Sequence, residues 1–492
     1  MASGPVLGLR SVVREALRTK AGLVGFGMIF FLLALVVAVP IYAPGDVVRR
    51  WGSIDAWLDN PRFAPPEWTE VFSGRREPRT LVMAPCHTPE TVPVSNETGR
   101  ETCPGGAWKK LAVRVVEFGD LTIISMSRTF VFDADNFPSE MRLVTWSLYG
   151  GAASLLTVNW SRPDGSWLIL LQQAPERRAP ATESFPISQM SRVQTEIRSW
   201  AMAKFNATDS PLIQPEVSLF ARGGESMLDP RRAQLLRGEY KITLEIVGFG
   251  GGVGLDAKAV VYGTVFGLVG TDDSRRDLMV GLLWGAPVAL AFGLVAAVVV
   301  VLLQVVLGAI GGWYGGAHDE LVQRGADLLL IIPVLPILIL ISLIYSPGIW
   351  TILFVVIAFG VVGSSSKIAR SIVLQVKEEA YVEAAVSYGA SRSRILFRHI
   401  MPRLLPFTFA LIALSVPAFI FLEASLSFLG LGDPVLPTWG KIIGDAYSGG
   451  AQFRGFWWWI AFPALGIVFA TVAFALLGYS FDKVLNPRLR EE

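Results

Sequence analysis

The sequence predicts an all-α membrane domain of six spans, with a large and mostly β extracytoplasmic insertion between spans 1 and 2. Three observations predict it. Mean hydropathy is +0.49, with 52% apolar and only 17% charged residues, too apolar for an ordinary soluble enzyme. Long stretches carry no Asp, Glu, Lys or Arg. Between the first two of these lie about 230 residues of a different character, with several pieces that alternate apolar and polar positions as half-buried strands do.

A charge at the centre of a membrane helix costs about 2.5–3.5 kcal/mol, and about 20 apolar residues cross a bilayer core, so gaps between charges locate the spans. Residues 21–45, 278–318, 328–366, 404–422 and 455–481 are such gaps. The 328–366 gap is broken at Tyr345-Ser346-Pro347-Gly348, a turn signal that divides it into two helices. The 278–318 gap turns Gly-rich only at 311–316, so one helix followed by a loop is expected there. The expected layout is an N-terminus at 1–20, span 1 at 21–42 and an extracytoplasmic domain at 43–269. A membrane core follows at 270–488, with helices at about 280–311, 326–345, 349–364, 404–424 and 457–480, a loop at 365–403, and a tail at 489–492.

Residues 1–20 carry Arg10, Arg14, Arg18 and Lys20 against Glu15, and residues 364–403 carry seven Lys or Arg against three Glu. Both are expected on the cytoplasmic side. Four spans separate them, so the two assignments agree, and the C-terminus is expected inside as well. This implies a multi-pass protein of the cell membrane, in contact with lipid. The alternative for the first gap is a signal peptide, since a basic segment precedes it. Its 25 uncharged residues exceed the usual apolar core of about 7–15.

In the inserted stretch, strands are expected at 111–118, 121–125, 143–148, 167–172, 240–247 and 257–262. The stretch is long enough for its own core. Both cysteines of the chain, Cys86 and Cys103, fall here. On an oxidising side of the membrane they are expected to pair, which would stabilise the domain by about 3 kcal/mol; two free thiols are the alternative.

Much chemistry is excluded. The net charge of +2 suggests no nucleic-acid partner. Three histidines and two cysteines show no zinc-type spacing, so no metal is expected. The only Gly-Lys pair, Gly440-Lys441, lacks the glycine of a phosphate-binding loop, and neither H-E-x-x-H nor G-x-S-x-G occurs. No catalytic residue is expected; any nucleotide hydrolysis must belong to another subunit.

The segment from Lys377 to Ser391 reads as a short helix that stops. Tyr381, Ala384, Ala385 and Tyr388 recur at i, i+3, i+4 and i+7, as on one helix face. Gly389 suits the position just past a helix end, and Ser391 the cap of the next piece. That piece carries Arg392, Arg394 and Arg398 and leads through Pro402 into span 5. A small-residue surface on a cytoplasmic helix lets a partner's groove approach closely; a solvated interfacial loop is the bland alternative.

Glu383-Ala384-Ala385, Gly389 and Pro402 resemble the EAA loop of ABC-importer permeases. Glu379-Ala-Tyr381-Val382-Glu383-Ala-Ala385 and Arg398-His-Ile-Met-Pro402 resemble in particular the C-type permeases of dipeptide and oligopeptide (peptide/nickel) importers. So do Gly270-Thr271-Asp272-Asp273-Ser-Arg-Arg276-Asp277, with Arg275 where that family usually has Gly, and the run from Glu423 to Gly432 followed by Pro437-Thr-Trp439-Gly440. Trp458, Trp459, Pro463, Pro487 and Arg488 match its closing pattern, and Gly311–Gly316 with Asp319, Arg324 and Asp327 its first cytoplasmic loop. The resemblance covers about 265–488; the large insertion lies outside it.

The resemblance implies a transmembrane subunit of an ATP-driven importer for peptides or similar small solutes. Such a subunit forms half of the translocation pathway with a homologous permease subunit. It implies one or two separate ABC ATPase subunits, which carry the ATP and Mg, and an extracytoplasmic solute-binding protein. No cofactor is implied in this chain. The EAA loop is then the coupling helix that docks on the ATPase, carried here by Glu379, Tyr381, Val382, Glu383, Ala384, Ala385, Gly389, Arg394, Arg398 and Pro402.

Glu423, Ser425 and Pro417 are pathway or gate candidates, because an acid inside a span is costly and marks function. For Glu423 the alternative is an outer-interface position or a structural hydrogen bond. Gly270, Thr271, Asp272, Asp273, Arg276 and Asp277 are expected to cap and anchor the segment entering span 2; binding of a cation or a peptide terminus is the alternative. Two other classes compete for the whole chain. A secondary transporter or channel would need buried acid–base pairs along several spans, and a membrane-anchored sensor would not need the 377–402 loop.

Overall fold

The computed structural model describes residues 9–83, 111–118, 121–148, 154–174, 181–249, 254–345, 348–433 and 435–485. Cys86, Cys103, Ser346, Pro347, Pro487 and Arg488 lie outside them, and the cysteine pairing with them. The chain divides into two compact units, one of Met1–Ser53 with Leu278–Glu492 and one of Ile54–Asp277. The first is helical and the second is β-rich. The divide falls at Asp277, so the 270–277 segment, expected with the membrane core, belongs to the inserted unit.

The helical unit opens with α1 (Leu9–Arg18) and α2 (Lys20–Tyr42). Thr19 starts α2 by accepting from the Gly22 amide at 3.0 Å. Its hydroxyl also stands 2.6 Å from that of Ser480, near the end of the chain.

Among the described residues the inserted unit has nine strands in two sheets. They are β1 (Leu81–Met83), β2 (Leu111–Phe118), β3 (Leu121–Phe132), β4 (Glu140–Leu148), β5 (Leu155–Ser161), β6 (Trp167–Gln173), β7 (Ala181–Phe185), β8 (Gly238–Phe249) and β9 (Gly254–Tyr262). One sheet has the order β1-β9-β4-β7 and the other β2-β3-β8-β5-β6. All pairings are antiparallel. Side chains alternate across a strand, and β3 and β8 bury every second residue accordingly. Both sheets and helix α3 (Ser191–Phe205) contribute to one apolar core. At its centre Phe130, Phe132, Trp160, Phe220 and Tyr240 stack and tilt against one another at centroid distances of 4.6–6.4 Å. Such pairs add about 0.5–1.5 kcal/mol each beyond their buried area. Six of the strands contain the six pieces expected from the sequence; β1, β5, β7 and α3 were not expected.

The helical unit resumes with α4 (Leu278–Tyr314), α5 (Gly316–Ile331), α6 (Val334–Tyr345), α7 (Ile349–Phe359), α8 (Ser364–Lys377), α9 (Ala380–Ser387), α10 (Arg392–Ile395), α11 (Met401–Phe428), α12 (Trp439–Ser448) and α13 (Trp457–Leu485). The 37-residue α4 is the central rod, packed against α8 and α11; α13 packs on α11 and α2. Among the described residues four helices are long and apolar enough to cross a membrane: Lys20–Tyr42, Leu278–Tyr314, Arg392–Phe428 and Trp457–Val484. The pairs α5 with α6 and α7 with α8 pass that test only together, bent by 73° and 41°. The span count is four, or six when each bent pair is one span.

Three expected boundaries need correction. No straight helix runs over 326–345. Pro333 has no amide to continue α5, and it pushes Ile332 into extended backbone at φ −72° and ψ 121°. Pro336 falls in the first turn of α6, where a missing amide is free. The second change is at 311–316, where no loop forms: α4 runs to Tyr314, and Gly315 alone separates it from α5. The third is at 349–364, where α7 ends at Phe359 and a short break precedes α8.

Candidate functional site

The 377–402 segment is built outward from a buried base. Trp313, Val373, Val376, Val382, Ile395, Leu396 and Ile400 form one apolar cluster, with Tyr381 and Ala385 against it. The short α9 therefore turns Val382, Tyr381 and Ala385 inward. Glu383, Ala384 and Ser387 face out, with Ala380. Tyr381, Ala384 and Ala385 keep the expected helical spacing, but the buried side is centred toward Val382, so Tyr381 and Ala385 lie at its edge and Ala384 and Tyr388 are exposed. Val382 is buried while Val386, the other valine of α9, is exposed, and Tyr388 caps the helix at 92% exposure.

The stop after α9 is a Schellman turn. The Gly389 amide bonds Val386 O at 2.9 Å, and the Ala390 amide bonds Ala385 O at 3.1 Å. Gly389 stands at φ +77°, where a side chain would be strained. Ser391 occupies the cap position of α10, but its hydroxyl makes no capping bond. Arg394 and Arg398 are exposed. Residues Leu396–Ile400 wind as a π-turn, with the Met401 amide bonded to Leu396 O. Pro402 explains it. In an α-turn its ring would press on the carbonyl four residues back, and one extra residue in the turn makes room.

Charged pairs hold the base. Arg370 on α8 grips Asp319 on α5 through Nε and Nη2, each at 2.6 Å, and Lys367 on α8 pairs with Asp327 on α5. Lys377 lies over the Trp313 ring at 5.7 Å and Arg403 over the Tyr381 ring at 5.1 Å. Glu379 is exposed at the start of α9.

The 270–277 segment is a tight turn bound within the inserted unit. Thr271 donates to Pro61 O at 2.8 Å and accepts from the Ala64 amide at 2.9 Å. Asp272, fully buried, accepts from the amides of Ser274 and Arg276 and from Arg276 Nε at 2.5 Å. Burial pushes its carboxyl up to about 6, against the pull of Arg276. Asp273 takes the Ser274 hydroxyl at 3.1 Å, and its carbonyl takes Arg62 Nε at 2.7 Å. Arg275 stands at φ +66°, a conformation that glycine adopts freely and that costs arginine about 1–2 kcal/mol. Its guanidinium binds Asn60 O at 2.9 Å, pairs with Glu140 on β4, and stacks 4.2 Å from the Tyr262 ring on β9.

Glu423, on the last turns of α11, is 2% exposed and accepts from the Ser427 hydroxyl at 2.6 Å. The Ser425 hydroxyl turns back to Phe421 O at 2.7 Å, and Pro417 lies inside the helix two turns earlier. The three do not converge on one point. Next to Ser427, a cleft of about 390 Å³ opens between the turn after α11 and α12, lined by Asp433, Lys441, Asp445 and Ser448. Sequence reasoning passed over these residues, because scattered polar groups around a Gly-rich turn carry no periodic signal.

Residues 304–491 match the family described as binding-protein-dependent transport system inner membrane component. The chain is 37% identical over 223 residues to the oligopeptide transport system permease protein OppC of Bacillus subtilis, covering 45% of this chain and 72% of that protein. It is 35% identical over 222 residues to the dipeptide transport system permease protein DppC of the same organism, covering 45% and 68%. It is 31% identical over 223 residues to the glutathione transport system permease protein GsiD of Pectobacterium atrosepticum, covering 45% and 73%.

Proposed function

The chain belongs to the family of inner membrane components of binding-protein-dependent transport systems, and from that premise we propose that it carries peptides, with α9 as the element that docks a separate ATPase. It is a permease subunit of an ABC importer of the dipeptide/oligopeptide type, a non-catalytic membrane protein like its relatives. The observation that carries the docking role is the outward face of α9. Glu383 and Ala384 stand exposed on a helix fixed from behind by Val382 and ended by the Gly389 turn. A small-residue face on a rigid base can seat in a partner's groove without first being ordered.

In this reading each bent helix pair is one span, giving six. The N-terminus and the 378–403 segment face the cytoplasm, as their excess of Lys and Arg supports; two further spans bring the C-terminus to the same side, and the inserted unit lies outside. A second, homologous permease subunit completes the pathway. The ATPase subunits bind ATP and Mg, and an external solute-binding protein delivers the peptide. Closing of the ATPases on ATP drives α9, which shifts the spans between inward- and outward-facing states; this requires the ATPase to bind the two states with different affinity.

The test is co-purification of the ATPase with this chain. Glu383→Arg places a bulky charge of opposite sign on the docking face, and Gly389→Pro cannot adopt the φ of the turn. Both are expected to lose the ATPase while the chain stays in the membrane. Retention of the ATPase by both variants would refute the docking role.

A further inference from the structure

We propose that Gln304 is a positioning residue for coupling, the pin that lets a push on α9 cross the break between α8 and α7. This rests on the docking role of α9 given above. Gln304 is the only polar side chain in 285–312, a run otherwise of Gly, Ala, Val, Leu, Ile, Phe and Pro. It is buried at 8% exposure in the middle of α4. A polar group there needs partners, and those it takes are informative.

The break between Phe359 and Ser364 leaves the last carbonyls of α7 and the first amides of α8 without intrahelical partners. Gln304 Nε2 donates to Gly360 O at 2.8 Å, and its Oε1 accepts from the Ser365 amide at 3.1 Å. One side chain thus caps the C-terminus of one helix and the N-terminus of the next. The break is closed further by the Ser366 hydroxyl, which donates to Gly363 O at 2.6 Å. Space is tight around it. A Cβ on Gly363 would stand 2.7 Å from Gln304 Nε2, and a Cβ on Gly308, one turn along α4, would stand 2.1 Å from Ser366 O. The 41° bend is therefore held on both arms by a third helix.

The mechanical consequence follows from chain order. Two residues, Glu378 and Glu379, join α8 to α9, so a displacement of α9 enters α8 first. It reaches α7 only across the break. With both arms tied to Gln304 the bend moves as one piece against α4; untied, α8 swings and α7 stays.

The test is hydrogen exchange by mass spectrometry on the complete transporter in lipid nanodiscs, with and without ATP and vanadate. The wild type is expected to show a nucleotide-dependent change in both 364–377 and 349–359. Gln304→Met keeps the side-chain length and removes both bonds. Ser365→Pro removes only the amide that Gln304 accepts from; the position is in the first turn of α8, where that amide has no intrahelical partner. Both are expected to keep the change in 364–377 and lose it in 349–359. A merely stabilising side chain would raise exchange equally in both nucleotide states. The proposal is overturned if the change in 349–359 survives in either variant, or if the wild type shows it in 364–377 alone. Should Gln304→Met not assemble, Ser365→Pro decides. A wild-type complex with no nucleotide-dependent change even in α9 would sink the docking reading instead, and that outcome is visible before any variant is made.

Discussion

Arg370 and Asp319 meet through two parallel hydrogen bonds of 2.6 Å, across 51 residues of sequence. A forked guanidinium matches a carboxylate in a way that an ammonium cannot. The pair is partly exposed, at 35% and 18%, which limits its worth. Arg370→Lys is expected to cost about 0.5–1 kcal/mol, read as a lower melting temperature of the full chain in detergent. Exchanging the two residues should recover part of the loss. No recovery in the exchanged variant would show that the charges do not see each other.

Asp272 makes the inserted unit more stable in acid than at neutral pH. Its carboxyl is raised from an ordinary 3.8 to about 6, so the folded state favours the protonated form. The stabilisation is fully present below about pH 3.8, is lost as pH rises through about 6, and is absent above that. The span corresponds to about 3 kcal/mol at most. Asp272→Asn should flatten this pH dependence. The comparison is between melting curves of the two full-length chains at pH 4, 5, 6 and 7; parallel curves would be the contrary result.

Arg275 stores backbone strain against a guanidinium held on three sides. Arg275→Gly relieves about 1 kcal/mol of strain but loses the pair with Glu140 and the stack on Tyr262, together worth about 1–3 kcal/mol. Arg275→Ala loses the same contacts and keeps the strain. Thermal melting should rank wild type above Gly and Gly above Ala, and an Ala variant as stable as the Gly variant would contradict the left-handed assignment.

Gly389→Ala probes the same conformation in the α9 turn. The cost is expected at about 1 kcal/mol, with the ATPase still bound, because Cβ at this position meets no atom within 4 Å. Complete loss of the ATPase from this mild variant would mean that the partner itself packs against Gly389.

Much of the architecture was legible because it depends on local composition. Gaps between charges located α2, α4, α11 and α13, and period-two alternation located six strands. Where a single atom decides, averaged hydropathy is blind: the missing amide of Pro333 splits an apolar run that reads as one helix. Helix α3 went unread, although Val193, Ile197 and Ala201 recur at i, i+4 and i+8 and all are buried. In the loop, Gly389 announced the stop, but nothing in the sequence shows that Val382 rather than Val386 is the buried valine. Long-range partners left no trace in the sequence. Nothing near Arg275 points to Glu140, and nothing near Gln304 points to Gly360.

The wide turn at Leu396–Ile400 sets the rotational phase of the basic segment. Removing one residue from it and replacing Pro402 by alanine would restore ordinary winding and swing Arg392 and Arg394 by about 100° around the axis of the span below. The guanidinium groups can thus be re-aimed without touching a single side chain inside the bilayer. In this protein, sequence length at that one spot acts as a dial for the direction in which positive charge is displayed.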